Sequence, residues 1–240
     1  MEFKVSVPTI EQAKPFLAKT SVTGVVYFCV AYLGTYITPY IDAISFFELP
    51  AIALAAAVTM RYGWSGILGS IVGSLFFHLL NMPLPLAITL ALGVGIAAFV
   101  FNYCLRLFHL SEVVINQVSS VAIFAFIATP IASAVHTLIT IFSMQALDFA
   151  HWDSMLETMM AWWFSELVIA YLTVPLLLSI FSYRKSYFQT QEKIEIGATL
   201  FGMVIVSWLT VKYGHMLGSS EIVIFVLLAS VLFSITMLIT

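Results

Sequence analysis

Apolar runs about as long as a bilayer is thick recur along almost the whole of this chain, and that recurrence limits the fold more than any motif does. A hydrocarbon core about 30 Å thick needs about 20 apolar residues per helix. A segment inside it must satisfy its backbone hydrogen bonds internally, so each run reads as a helix. Composition agrees: 62% of the 240 residues are hydrophobic and 9% charged, with mean hydropathy +1.06. Soluble domains average about 45–50% apolar and about 25% charged residues. The expected class is an all-α, polytopic membrane bundle.

Eight transmembrane helices are expected: Ser21 to Ile41, Ile44 to Tyr62, Trp64 to Met82, Pro85 to Phe108, Val113 to Phe142, Thr158 to Ser182, Ile194 to Lys212 and Glu221 to Thr240. Residues 1–20 read as a cytoplasmic leader, because Pro8, Pro15, Glu2 and Glu11 do not suit a cleavable signal. Lys4, Lys14 and Lys19 set the amino terminus in the cytoplasm by the positive-inside rule. Alternation then brings Arg61, Arg106, Arg184, Lys185 and Lys193 to the same side, leaving Lys212 outside. Asp42, Asp148, Asp153, Glu157 and Glu221 fall at outer ends or loops, and the carboxyl terminus is cytoplasmic. Net charge of −3 carries no message about partners, and nucleic acid is not among those expected. Cys29 and Cys104 both sit in apolar spans, so neither a disulfide framework nor a cysteine metal site is expected.

Within the spans, Gly63 makes the second and third a tight hairpin tipped by Arg61, and Gly66, Gly69, Ser70, Gly73 and Ser74 give the third a small-residue face. That helix is expected at the centre of the bundle. Pro50, Pro130 and Pro175 each forfeit a backbone hydrogen bond and predict kinks.

Chemistry concentrates toward one leaflet. Glu48 opens the second span outside, His78 ends the third, His136 ends the fifth, and Glu166 follows Trp162 and Trp163 in the sixth. An acid in a span survives only with a partner, a cavity or a neutralising proton. One outward-facing polar cavity is therefore expected, with carboxylates paired to histidines and Trp162 and Trp163 at its mouth. The same residues also fit a plainer pattern, in which Glu48 snorkels, the histidines bond to backbone carbonyls and the tryptophans join the aromatic belt. Two histidines on different helices are weak grounds for haem or metal, so no cofactor and no metal site is expected. Gly63-Trp64-Ser65-Gly66 has the shape of an intramembrane serine protease motif, but it lies at the cytoplasmic end of the hairpin, away from the outward-facing histidines. No nucleophile, base and orienting group occur together, so the chain is not read as an enzyme.

Three stretches together resemble MASE1, an eight-span bacterial membrane sensor family found ahead of histidine kinase and diguanylate cyclase domains. Phe47-Glu48-Leu49-Pro50-Ala51-Ile52-Ala53-Leu54-Ala55 resembles that family's Pro-x-Gly-Ile-Ala-Leu-Ala opening of its second span. Gly63-Trp64-Ser65-Gly66-Ile67-Leu68-Gly69-Ser70 is similar to the hairpin that follows, and Trp162-Trp163-Phe164-Ser165-Glu166 to its Trp-Trp-Leu-Gly-Asp. Ala51, Ser165, Glu166 and Ile169 stand where the family has Gly, Gly, Asp and Gly.

The resemblance implies that residues 21–240 form a non-catalytic sensor domain in a bacterial cytoplasmic membrane, the output domain being absent from this chain. Glu166, Trp162, Trp163, Glu48, His78 and His136 would bind the stimulus or partner, and the last helix would pass the change to a cytoplasmic output domain in cis. The lipid bilayer, a homodimer mate and a second membrane protein are the expected partners. A small-solute transporter or membrane substrate-binding subunit is the alternative. The absence of an internal repeat and the position of the acids near one leaflet weigh against it.

Overall fold

A computed structural model describes residues 10–37, 49–108, 118–149 and 155–181. Every regular element among them is helical: α1 Ile10–Ile37, α2 Leu49–Tyr62, α3 Trp64–His78, α4 Leu84–Leu107, α5 Val118–Ile123, a π turn Phe124–Ala128, α6 Thr129–Ala146 and α7 Met155–Phe181. Stretches at Lys14–Thr35, Leu84–Leu107 and Ser120–Ala146 are long and apolar enough to cross a membrane. The seventh and eighth expected spans lie outside the described residues.

Several boundaries differ from expectation. The described part of α1 reaches back to Ile10, before the expected Ser21, so Pro15 lies inside the helix. It forfeits one intrahelical hydrogen bond there. Pro50 lies near the amino-terminal end of the described part of α2. The fifth run continues to Ala146, so less chain is left for the outer connection.

Gly63 turns the α2–α3 hairpin at φ 59°, a left-handed conformation that suits a residue without Cβ. Ser65 donates its hydroxyl to the Tyr62 carbonyl at 2.9 Å and closes this turn. Past the turn α3 runs parallel to α1, and the two backbones touch: a Cβ added to Gly69 would stand 2.6 Å from the Thr20 carbonyl oxygen. Gly73 faces Gly24 and Tyr27 in the same way. The small-residue face of α3 thus serves two neighbours, α1 through Gly69 and Gly73 and α2 through Gly66, where a Cβ would stand 2.6 Å from the Val58 carbonyl oxygen.

Among the described residues, its other side is not enclosed. Trp64, Leu68, Val72 and Phe76 form an exposed apolar stripe along α3, and Leu84, Ile88, Leu92, Ile96, Phe99 and Tyr103 form another along α4. Spacing near four residues keeps each stripe on one helical face, a surface suited to hydrocarbon rather than water. The enclosed helix is α2, in which no residue from Ala51 to Met60 is exposed. Its alanines serve two cores: Ala51 and Ala55 pack with Tyr27 of α1, Phe77 of α3 and Val94 of α4, while Ala53 and Ala57 pack with Phe101, Phe124, Tyr171 and Val174. Alanine occupies the centre because it lets four helices approach one axis.

Basic residues gather at one end. Lys19 of α1 lies 5.8 Å from the centre of the Tyr62 ring, next to Arg61. Trp64 stacks on Phe99 across the antiparallel α3–α4 pair, so Arg106 is at that end too. Asp148 and Glu157, after α6 and at the start of α7, lie at the other.

Candidate functional site

The buried face of α6 is unusual for an apolar helix. Thr129, Ser133, His136, Thr137 and Thr140 are all buried, and they recur at the spacing of a single helical face. Helix α4 comes close against this face because it offers Gly93: a Cβ there would stand 3.0 Å from Ile139 and 3.7 Å from the His136 ring. Helix α7 supplies the group that the polar face meets.

His136 Nδ1 lies 2.7 Å from Glu166 Oε1, and the side chains are 3% and 1% exposed. A contact this short has a hydrogen between nitrogen and oxygen. Imidazolium facing carboxylate, or neutral imidazole facing carboxylic acid, gives a pair with no net charge. Such a unit belongs inside an apolar bundle where a lone carboxylate would not. On the far side of the ring, Thr140 Oγ1 stands 3.5 Å from Nε2, a long contact whose direction follows the imidazole tautomer.

Just before this face, the helix widens into the π turn, directly ahead of Thr129 and Pro130. The N–H of Thr129 donates to Phe124, five residues back. The Ala125 carbonyl would then await residue 130, which is proline and has no N–H. Tyr171 of α7 fills the gap, its hydroxyl donating to the Ala125 carbonyl. Phe124, fully buried in the same turn, meets both Phe101 of α4 and Tyr171 edge to face at 6.0 Å. One turn on, Trp163 Nε1 donates to the Pro130 carbonyl at 3.0 Å. Three side chains of α7, namely Trp163, Glu166 and Tyr171, thus hold the widened helix by hydrogen bonds.

Beside the pair is a cavity framed by α2, α4, α6 and α7. Its polar lining is Thr129, Ser133, His136 and Glu166, and alanines such as Ala53, Ala97 and Ala132 leave the space open. About 30 Å³ is open to the centre of a water-sized molecule.

Of the six candidate residues, the structure joins two, Glu166 and His136. His78 is buried at the end of α3, edge-on to Phe77 at 5.3 Å, and does not line the cavity. Trp162 packs with Leu86, Leu90 and Met144, and Trp163 braces Pro130; neither is at the cavity. Their rings tie α7 to α4 and α6 because indole offers a large apolar body with one donor to satisfy. Glu48 lies outside the described residues. Reading the candidates singly passed over Thr129, Ser133, Thr140 and Tyr171, although the first three announce themselves as a polar stripe at helical spacing. Tyr171 could be found only by pairing it with the donor lost at Pro130.

No family model, curated protein or solved structure matches this chain.

Proposed function

We propose that this chain is the membrane-embedded input domain of a signalling protein, sensing at the His136–Glu166 cavity. In this reading eight spans lie in a bacterial cytoplasmic membrane with both termini inside, as in the MASE1 domains it resembles. A stimulus or partner acting from the outer side alters the packing of α6 on α7. The change passes through the last helix to a cytoplasmic histidine kinase or diguanylate cyclase type domain, within a homodimer, as a shift between two existing arrangements. The observation that supports it is the ionisable pair itself: a buried bond between His136 and Glu166 joins two helices at a cavity, where one carries a π turn and the other Pro175. Helices with an interrupted hydrogen-bond ladder are suited to alternative packings. The bias of basic residues toward one end accords with the proposed orientation.

Glu166→Gln in the full-length parent tests the idea. Altered output with normal membrane insertion is the expected result, and wild-type signalling across stimuli would overturn it. The cavity also suits capture of a small solute, which a transporter would require. Gradient-coupled flux in liposomes would favour that function over sensing.

A further inference from the structure

Serine and threonine hydroxyls in helices commonly donate to the carbonyl three or four residues back. Thr20, Ser70, Thr89 and Ser165 do so, to Phe16, Gly66, Leu86 and Ala161. Thr129 does not. It is 2% exposed, it lines the cavity, and its Oγ1 has no hydrogen-bond partner among the described residues. The carbonyl four residues back belongs to Ala125 and already accepts from Tyr171, while the Thr129 N–H reaches to Phe124. A buried hydroxyl without a partner is costly, and in native proteins ordered water commonly supplies the bond.

The space and the chemistry agree on the guest. With about 30 Å³ open to the centre of a water-sized molecule, the cavity has room for water. A guest water needs two to four polar partners, and Thr129, Ser133, Glu166 and His136 provide that number between them. The alanine walls compete for no hydrogen bond.

We propose that this cavity is a site for ordered water, held between the Thr129 and Ser133 hydroxyls of α6 and the Glu166 carboxyl group of α7, and that this water exchanges the proton of the His136–Glu166 pair. A proton reaching the site as hydronium moves from the guest oxygen to the carboxylate. One O–H bond of hydronium breaks, a carboxylic O–H forms, and neutral water remains; the reverse step returns it. The pair is then a proton-exchanging centre, not a static brace. This deepens the sensory reading of the same site by giving the cavity a defined guest.

The test uses the whole chain with ring-¹⁵N histidine, reconstituted in lipid vesicles, and follows polarisation transfer from water to the imidazoles by solid-state NMR. His136→Gln identifies the signal among the five histidines. Transfer to His136 is expected in the wild type, falling several-fold in Thr129→Val and in the cavity-filling Ala132→Leu. A His136 ring that receives nothing from water overturns the proposal, as does undiminished transfer in both variants. The two readings fail separately: a dry His136 with a signalling defect in Glu166→Gln removes only the water site, and a hydrated His136 with indifferent signalling removes only the sensor.

Discussion

The hydroxyl of Tyr171 donates to the carbonyl of Ala125, the one acceptor in the π turn that Pro130 is unable to serve. A defect in one helix is thus made good by a side chain from another, 46 residues further along the chain. The same two helices carry His136 and Glu166. Their register is therefore set twice, once by a backbone repair and once by an ionisable pair.

Removing the repair has a cost that depends on the proline. Tyr171→Phe leaves a buried carbonyl without its donor, a loss of about 1–3 kcal/mol. Pro130→Ala returns an N–H to the ladder. Thermal unfolding in detergent should show Tyr171→Phe destabilising the wild type clearly and the Pro130→Ala background much less. Equal losses in both would break the link between these residues.

The ionisable pair should behave as a unit. Removing one member of a buried pair commonly costs about 3–5 kcal/mol, because the other is left uncompensated. His136→Ala and Glu166→Ala are each expected to lower the melting temperature. The double variant should lose distinctly less than the two losses added together, and simple additivity would argue against a coupled pair.

Glycine substitutions should sort by what the new methyl meets. At Gly69 and Gly73 it meets α1 backbone, which cannot turn aside, whereas at Gly95 it meets the outer atoms of Ile71, which can rotate. Gly69→Ala and Gly73→Ala are expected to be several-fold costlier than Gly95→Ala in the same unfolding assay. Comparable melting temperatures for all three would mean that α1 is not held against α3 in this way.

Orientation can be read by labelling. Arg61 and Asp148 lie at opposite ends of the described bundle. In a background carrying Cys29→Ala and Cys104→Ala, a membrane-impermeant maleimide should reach Asp148→Cys in intact cells and Arg61→Cys only in inverted vesicles. Labelling of both from one side would contradict the proposed topology.

The candidate site was legible in part. Glu166 stood out because a carboxylate within an apolar run demands compensation, and His136 because it carried a matching charge toward the same leaflet. Which histidine would serve was not legible: His78 satisfied the same criteria and was placed elsewhere, at the end of α3 beside Phe77. The packing of the tryptophans was not legible for a similar reason. A Trp pair beside an acid suits a binding mouth as well as it suits packing, and the partners Leu86, Met144 and Pro130 lie on distant segments.

From the sequence alone came the helical class, the boundaries of the described runs to within a few turns, the Gly63 hairpin and the need for Glu166 to have a partner. Each follows from local chemistry or from the cost of polar groups in hydrocarbon, and neither depends on which helices are neighbours. Tertiary structure decided that, among the described helices, α2 rather than α3 is enclosed, that Glu166 meets His136, that Tyr171 mends the ladder broken by Pro130, and that Thr129 faces a cavity. These are relations between surfaces far apart in the chain. They depend on how closely alanine and glycine let particular helices approach, and no single run contains that distance.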